Sequence, residues 1–294
     1  RFEPDPHPSA IMAPSIGLRA AQRLPRALKV EWEDGFMANF SFVWLRDNSV
    51  KRPSLIHLDL HDKPENFCTS SDRRRLQVTW PPFCASDYTS EFLREHTRIK
   101  PVQKLECPIT QKVLTVPWRV LPYHPQNAEF RKGATATLRW GECAFEAGTV
   151  WPQLERIPSL VTVEAQTANA KIHLVDGVTA LQLMSARYPE EFRFLSSCPI
   201  DYEEDLFHAT HPLATISDGR VIAVTFNNEL RSAEIMVDCL DKYYTCLKTF
   251  HRICLDIMHT VVLQPGDVLV TDNHQTFLGA PAQSDRYVNV NVFS

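Results

Sequence analysis

The stretch LQPGDVLVTDNHQTFLG, residues 263–279, is the part of the chain that most narrows the fold. Pro265–Asp267 predicts a tight turn, because Pro and Gly supply the backbone angles that turns need. The apolar run Val268–Val270 predicts a core strand, and Asp272 and Asn273 then open a polar loop. A strand that ends by presenting polar groups to a loop is a common way to build a functional site.

The bulk composition excludes several classes of protein. The chain has 294 residues, 44% hydrophobic and 22% charged, which suits one large or two modest folded domains. A net charge of −4 gives no basic surface for nucleic acid. The sequence contains no run of about 18 apolar residues, so no membrane-spanning helix is predicted. With 21 Pro against 9 Gly, short strands and rigid loops are favoured over long helices.

The eight cysteines are scattered and form no C-x-x-C pair. This spacing disfavours a metal site built from cysteines and favours free thiols in a reducing compartment, so we expect a cytoplasmic protein. Residues 12–30 contain three Arg and one Lys but no acid. A mitochondrial targeting peptide is therefore the alternative, and an untethered basic tail would have the same composition.

Hydrophobic patterning divides the chain into a tail over residues 1–27, a β-rich N-terminal domain over residues 28–99 and a larger domain over residues 100–294. In the N-terminal domain, the alternation across Leu28–Arg46 predicts a hairpin around the turn Glu33–Gly35. Two further elements are predicted there, a strand over Leu76–Trp80 and a helix over Asp87–His96 capped by Ser86 or Asp87.

The larger domain mixes strands and helices from Gly148 onward. Pro189 either ends the first of its helices or opens a second one. This order favours a mixed sheet or barrel covered by helices. The predicted strands are Leu160–Val163, Ile172–Val175 and Val221–Phe226, and the predicted helices are Gly177–Tyr188 and Val237–Met258.

Five segments match one family in the same order along the chain. They are Phe42–Asn48 (FVWLRDN), Thr79–Pro81 with Ser90–Phe92, Leu174–Gly177 with Tyr188–Glu190, Val224–Asn228 with Arg231, and the stretch from Pro265 to Asn273. Together they resemble the gamma-butyrobetaine hydroxylase and trimethyllysine hydroxylase family of iron(II)- and 2-oxoglutarate-dependent oxygenases. The resemblance is nearer to gamma-butyrobetaine dioxygenase, and the chain is a divergent or partial member.

This resemblance implies a mixed α/β, mainly β fold. A small N-terminal β-rich domain would precede an incomplete, shortened double-stranded β-helix (jelly-roll) core with covering helices. The implied activity is 2-oxoglutarate-dependent hydroxylation of a small trimethylammonium compound in carnitine biosynthesis. The implied cofactors are Fe(II), 2-oxoglutarate and ascorbate, with a structural zinc in the N-terminal domain. A homodimer is left open.

The family's metal ligands have no counterpart in this sequence. The family holds iron with two His and one carboxylate, the first two in an H-x-D pattern. The matching positions are Gly148, Val150 and Leu278, and none of these side chains is a metal donor. The family's zinc ligands are Cys residues after WLRDN and a distant His, where this chain has the residues SVKR at 49–52 and Asp87. We therefore expect the chain to bind neither iron nor zinc.

Several other histidines are candidate substitutes for the missing iron ligands. His57-x-Asp59 is a literal H-x-D, for which the solvated face of a strand is the simpler explanation. His274 lies four residues before Leu278, which displaces it by roughly 10 Å along an extended chain. The others are His173, which could face inward or outward, and His208 and His211, which are predicted to lie in a surface loop.

The resemblance also assigns ligand-binding roles. Arg286 matches the residue that pairs with the distal carboxylate of 2-oxoglutarate, a role that suits a planar guanidinium, although an ordinary exposed Arg explains it equally well. Trp151 matches an aromatic residue that holds the trimethylammonium group by cation–π attraction. Asn227 and Asn228 match residues near the substrate pocket.

Two hypotheses from different functional classes follow. In the first, the chain is a family oxygenase that hydroxylates a trimethylammonium substrate. In the second, it is an inactive relative or partial chain that acts as a binding or scaffold protein. The matching segments support the first hypothesis, and the positions Gly148, Val150 and Leu278 support the second.

Overall fold

The computed structural model describes residues 16–49, 52–82, 84–97, 135–138, 146–147, 160–165, 168–204, 207–235, 237, 239–279 and 288–293. The chain forms two compact units. The first contains Arg1–Lys51 and His61–Arg98, and the second contains Arg52–Leu60 and Ile99–Ser294. Among the described residues no helix is both long and apolar enough to span a membrane.

The first unit contains two antiparallel three-stranded sheets, ordered β1-β2-β3 and β4-β5-β6, and two short helices. Its elements are β1 (Leu18–Arg23), β2 (Ala27–Trp32), β3 (Met37–Ser41), α1 (Phe42–Asp47), β4 (Asn66–Thr69), β5 (Arg75–Trp80), β6 (Cys84–Thr89) and α2 (Ser90–Glu95).

The expectation of a tail over residues 1–27 is wrong for its second half, because β1 begins at Leu18. Leu18 is fully buried, and its N–H donates to the carbonyl of Arg73 at 2.6 Å. The basic character of the segment reflects the exposed side of this strand. Arg19, for example, forms an ion pair with Glu31 at 2.9 Å.

The predicted hairpin is confirmed, with β2 and β3 paired through the turn at Gly35, where φ is 82°. Its second strand is shorter than expected, because Phe42–Leu45 belongs to α1. Alternating residues predicted a strand, but all four side chains are buried, and Ser41 caps the helix by accepting from the Trp44 N–H at 3.3 Å. Burial on every side removed the periodicity that would have indicated a helix.

The helix predicted over Asp87–His96 is confirmed in its second half only. Asp87 lies in β6, and α2 is capped by Thr89, which accepts from the Phe92 N–H at 3.1 Å. The expected caps Ser86 and Asp87 are instead paired with β5. Strand pairing has therefore moved the start of the helix towards the C-terminus.

The second unit contains thirteen of the strands and three helices among its described residues. They are β7 (Thr135–Leu138), β8 (Glu146–Ala147), β9 (Leu160–Ala165), β10 (Ala170–Asp176), α3 (Gly177–Arg187), α4 (Pro189–Ser196), β11 (Pro199–Glu204), β12 (Phe207–Pro212), β13 (Ala214–Ser217), β14 (Arg220–Val224), β15 (Phe226–Asn227), α5 (Leu240–Asp256), β16 (His259–Leu263), β17 (Val268–Asp272), β18 (Thr276–Gly279) and β19 (Val288–Phe293).

The strand order is that of a jelly roll. The strands β7, β8, β9, β10, β16, β17, β18 and β19 can be counted in chain order as strands 1 to 8. One sheet then has the order 6-3-8-1, and the other has the order 2-7-4-5 with β15 added at its edge. The chain crosses between the sheets at every step except from β10 to β16, and every pairing is antiparallel. This alternation gives the double-stranded β-helix that the resemblance implied. All eight positions are filled, three of them by strands of only two or four residues.

One apolar cluster fills the space between the two sheets. Val161 and Val163 contribute from one sheet, and Ile172, Leu174 and Leu278 contribute from the other. Each fully buried side chain of this size contributes about 1.5–3 kcal/mol to folding. The cluster is therefore the main cause of sheet-on-sheet packing in the second unit.

Three sequence expectations for this unit changed at their ends. Pro189 opens a separate helix, α4, rather than ending the one before it. The strand predicted over Val221–Phe226 is divided at Thr225 into β14 and β15. The long helix predicted over Val237–Met258 begins at Leu240 and ends at Asp256.

Two of the matched segments meet the turn between β17 and β18, which directly follows a third matched segment. The Gly177 N–H donates to the Gln275 carbonyl at 2.7 Å, and the Val224 N–H donates to the His274 carbonyl at 2.8 Å. A Cβ atom on Gly177 would lie 2.6 Å from Cγ1 of Val224 and 2.7 Å from Cε2 of Phe277. Because both neighbours are fully buried, glycine is required here by close packing.

We predict that Gly177→Ala lowers the free energy of unfolding by about 1–3 kcal/mol, because the methyl group overpacks this junction. Urea unfolding followed by far-UV circular dichroism measures the loss. Gly17→Ala is the matched control. Its Cβ would meet only the flexible carboxylate end of Glu33, at 2.8 Å, and should change stability by less than about 0.5 kcal/mol. Equal effects from the two variants would contradict this account of Gly177.

Candidate functional site

The loop after β15 is the best-defined part of the candidate site. Asn227 is buried, and its side-chain oxygen accepts from the N–H groups of Glu229 at 2.9 Å and Leu230 at 3.2 Å. This pattern is an Asx turn, which Asn favours because its short amide mimics a backbone carbonyl. Asn227 therefore has a structural role, whether or not it also contacts a ligand.

Arg231 anchors the other end of this loop. It is 2% exposed, and its Nη2 donates to the side-chain oxygen of Asn228 at 3.2 Å. Its guanidinium lies 6.0 Å from the centroid of the Tyr244 ring, a distance at which cation–π attraction acts. Arg231 also pairs with Tyr202 through an isolated β-bridge. The loop is thus fixed by side chains from several elements of the second unit.

The backbone beside the loop is also satisfied. The N–H groups of Glu203 and Ser232 donate to the carbonyls of Leu230, at 2.8 Å, and Asp201, at 2.7 Å. The buried Tyr202 hydroxyl donates to the Thr225 carbonyl at 3.2 Å. Burial raises the pKa of Tyr202, so its hydroxyl stays protonated and can act as this donor.

The side-chain amides of Asn227 and Asn228 use their oxygen atoms within the loop. Both side-chain oxygens accept hydrogen bonds within the loop, whereas neither side-chain nitrogen donates to another described residue. Two N–H donors at one place suit an anionic or carbonyl oxygen of a small molecule. This geometry agrees with the role that the resemblance assigns to the two residues, and that role remains a prediction.

The candidate site is connected to Leu278 across the sheet. Asn227 is paired with Glu146, Glu146 with Leu278, and Leu278 with Leu174. Directly paired residues of antiparallel strands share a face of the sheet, and Leu278 and Leu174 both belong to the apolar cluster. Glu146 is two residues before Gly148, and the strand that leads to Gly148 is therefore next to the strand of Leu278.

Leu278 does not fit an iron ligand. Its side chain is 5% exposed and belongs to the apolar cluster between the sheets. A saturated hydrocarbon side chain cannot donate an electron pair to a metal, and its surroundings are apolar. Gly148 and Val150, the other two predicted ligand positions, lie outside the described residues, as do Trp151 and Arg286.

The substitute histidines occupy varied positions. His173 is buried on the face of β10 opposite the cluster, with Nδ1 2.9 Å from Oγ1 of Thr260. His274 lies in the β17–β18 turn, where its N–H donates to the Asp272 carboxylate at 2.9 Å. His208 and His211 lie in β12 rather than in a loop, and their expected surface position holds for the exposed His208 only.

The literal H-x-D at His57 and Asp59 lies in a turn rather than on a strand, and both residues are exposed. The segment that contains it, Arg52–Leu60, belongs to the second compact unit, although it was expected in the N-terminal domain. Among the residues that the structure describes, no three His, Cys, Asp or Glu side chains are grouped so that they could hold a metal ion.

No family model matches the chain. Gamma-butyrobetaine dioxygenase of Pongo abelii is 22% identical to it over 338 residues, covering 86% of this chain and 86% of that protein. Over most of its length, the chain is therefore similar in sequence to a gamma-butyrobetaine dioxygenase. Gamma-butyrobetaine dioxygenase of Homo sapiens is 26% identical over 158 residues, covering 47% of this chain and 39% of that protein.

Solved structures similar to this chain include a taurine dioxygenase from Burkholderia xenovorans. It has a TM-score of 0.41 at 14% identity, covering 54% of this chain and 62% of that one. An asparagine oxygenase in complex with Fe(II) has a TM-score of 0.39 at 14% identity, covering 59% of this chain and 55% of that one. The strand order of the second unit, rather than similarity to these structures, defines the double-stranded β-helix.

We predict that Asn227→Ala destabilises the protein by about 1–3 kcal/mol, because two part-buried N–H groups lose their acceptor. Asn227→Asp keeps an acceptor oxygen and loses the amide donor, so it should retain most of the stability. Thermal and urea unfolding of both variants measure the difference. If the Asp variant were as unstable as the Ala variant, acceptance of hydrogen bonds in the Asx turn could not be how Asn227 stabilises the protein.

Stability should fall as the pH is lowered through the histidine range. Burial, with a smaller contribution from Lys171, lowers the pKa of His173 from 6.5, and burial also lowers the pKa of His211. The unfolded chain therefore binds protons more readily than the folded chain below about pH 6.5. The protein is therefore most stable above about pH 6.5, and it loses stability as the pH falls towards the lower pKa values of His173 and His211 in the folded chain.

The melting temperature measured from about pH 7.5 to about pH 5.5 tests this sign. His173→Gln should flatten the pH dependence of the melting temperature. A wild-type melting temperature that rose on acidification would contradict the prediction.

Proposed function

We propose that this chain retains the scaffold of a 2-oxoglutarate-dependent dioxygenase and binds a small trimethylammonium carboxylate of the gamma-butyrobetaine type without hydroxylating it. The relatives indicate the dioxygenase family. The substrate class and the loss of activity are our inference. The single observation that carries the loss of activity is Leu278, a buried hydrocarbon side chain at a position where the family has an iron ligand.

The surroundings of Leu278, and not only its side chain, are unsuited to a metal ion. Leu278 packs with Leu174 and with valines from the opposite sheet, so its methyl groups contribute to the core. A metal ion at that position would need polar partners that these side chains do not provide. In the sequence, Gly148 and Val150 also lack donors, and the three changes together favour an inactive relative.

The retained residues support ligand binding. The amide nitrogens of Asn227 and Asn228 can donate to the carboxylate of a zwitterionic ligand. Trp151 would present an aromatic face to its cationic end, and Arg286 would pair with the carboxylate of 2-oxoglutarate. These assignments to the two undescribed residues follow from sequence similarity alone.

The N-terminal unit contains a dense aromatic core that supports folding without zinc. Trp44 stacks on Phe92 at 5.7 Å between ring centroids, and Phe92 lies 4.4 Å from the His96 ring. Trp32 is fully buried, and its Nε1 donates to Ser90 Oγ at 2.9 Å. We propose that this packing replaces the stabilisation that a structural zinc gives to the family, since buried aromatic pairs contribute beyond their area.

A second candidate function is an active oxygenase. The observation that favours it is the retention of all eight jelly-roll strands together with the Asn227–Arg231 loop. In that case metal donors would have to come from residues outside those described. Cytoplasmic location and homodimer formation are compatible with both candidates and remain predictions.

We predict that the purified chain binds no stoichiometric Fe(II) and does not couple decarboxylation of 2-oxoglutarate to hydroxylation of gamma-butyrobetaine. Metal titration, carbon dioxide release and product detection measure the three quantities. Calorimetry with gamma-butyrobetaine tests binding separately. Stoichiometric iron together with coupled turnover would establish the active oxygenase instead, and absence of binding would overturn the proposed ligand.

The matched gain-of-function control is Gly148→His, Val150→Asp and Leu278→His combined. If these positions form one site, the combined variant should acquire Fe(II) binding, and Leu278→His alone should not. The single variant also places a polar ring in the apolar cluster, so it should lose about 1–3 kcal/mol of stability. Iron binding by the combined variant no stronger than that of wild type would contradict the matched positions.

A further inference from the structure

A second arginine holds the Asn227–Arg231 loop from a distant part of the sequence. Arg52 Nη1 donates to the carbonyl of Asn228 at 2.9 Å and to the carbonyl of Arg231 at 2.6 Å. One guanidinium nitrogen therefore joins both ends of a four-residue stretch that is 176 residues away in the chain. A charged donor makes these hydrogen bonds stronger than those between neutral groups.

The contacts around the loop divide into two sets. Asn227 satisfies the inward N–H groups, those of Glu229 and Leu230, whereas Arg52 satisfies carbonyls on the same loop. The two sets are complementary, because a buried loop needs partners for both its donors and its acceptors. Without Arg52 the Asn228 carbonyl would lose this partner, and the peptide that carries the Asn228 side chain could rotate.

We propose that Arg52 is a positioning residue that sets the orientation of the Asn227 and Asn228 amides and thereby controls ligand affinity at this loop. The inference rests on the proposed function, since it assumes that these amides bind the ligand. Arg52 itself acts through backbone carbonyls. It needs no contact with the ligand.

The segment that carries Arg52 has a second anchor, which supplies a control. Lys248, on α5, donates through Nζ to the carbonyl of Leu58. Both anchors are cationic side chains that donate to backbone carbonyls, and both fix Arg52–Leu60 within the second unit. Arg52 donates directly to the Asn227–Arg231 loop, whereas Lys248 donates to Leu58 in the Arg52–Leu60 segment, so loss of Lys248 should affect the segment more than the loop.

The test compares Arg52→Gln, Arg52→Lys and Lys248→Gln in the full-length chain. Hydrogen exchange of a peptide spanning residues 226–232 is measured without ligand. We expect Arg52→Gln to raise its exchange rate roughly tenfold, with β10 unchanged, because local opening becomes easier. Arg52→Lys should restore part of the protection through its own donors, and Lys248→Gln should match wild type. Wild-type exchange in Arg52→Gln, or faster exchange throughout the protein, would overturn the positioning role.

Affinity for gamma-butyrobetaine is then measured by calorimetry in the same set. We expect Arg52→Gln to bind roughly tenfold more weakly, with Arg52→Lys intermediate and Lys248→Gln equal to wild type. Equal affinity in wild type and Arg52→Gln would overturn the control of affinity. If wild type binds no gamma-butyrobetaine, the proposed function fails, and with it the role of Arg52 in ligand affinity, whereas the exchange experiment still decides whether Arg52 fixes the loop.

Discussion

The apolar layer between the two antiparallel sheets is the interaction on which the second unit depends. Consecutive strands of the jelly roll lie in opposite sheets, except β10 and β16, so the chain cannot complete either sheet without closing this layer. Leu174 and Leu278 face Val161 and Val163 across it. Any side chain on this face must therefore suit close apolar packing before it can serve another purpose.

Leu278 illustrates how this constraint and chemistry compete for one position. A ligand at the centre of such a fold needs donors that point inward, and each inward donor replaces part of the hydrophobic core. In this chain the position is filled by a leucine that packs well and coordinates nothing. The scaffold can thus become more uniformly apolar while the ability to hold a metal is lost, which is the physical basis for the inactive relative that we propose.

The polar loop after β15 follows the opposite rule. Asn227, Arg231 and Arg52 are committed to hydrogen bonds that satisfy a buried turn, and the turn is useful because it is rigid. Rigid donors lose little entropy when they bind a ligand. A loop with this many internal hydrogen bonds can be retained for folding alone, however, so its presence does not by itself demonstrate substrate binding. Measuring ligand affinity apart from stability distinguishes the two roles.

Much of the fold could be predicted from local sequence. The Glu33–Gly35 turn predicted the hairpin, and the Val268–Val270 run predicted a strand, because both signals depend on neighbouring residues. The structure places that strand at the edge of its sheet with Val268 exposed, rather than in the core. Element boundaries were less predictable. Phe42–Leu45 alternates like a strand but forms a helix that is buried on all sides, and Asp87 was taken into β6 by pairing with β5. In both cases tertiary contacts outweighed a weak local preference.

The sequence by itself determined the resemblance to one oxygenase family, the expected jelly-roll class and the absence of a metal donor at Leu278, since these follow from residue identity and order. Only the tertiary structure decided that Leu278 lies inside the apolar cluster, that Gly177 leaves room for Val224 and Phe277, and that Arg52 reaches the Asn227–Arg231 loop. Such contacts join residues far apart in the chain. No local pattern encodes them, because they depend on how the sheets and helices pack together.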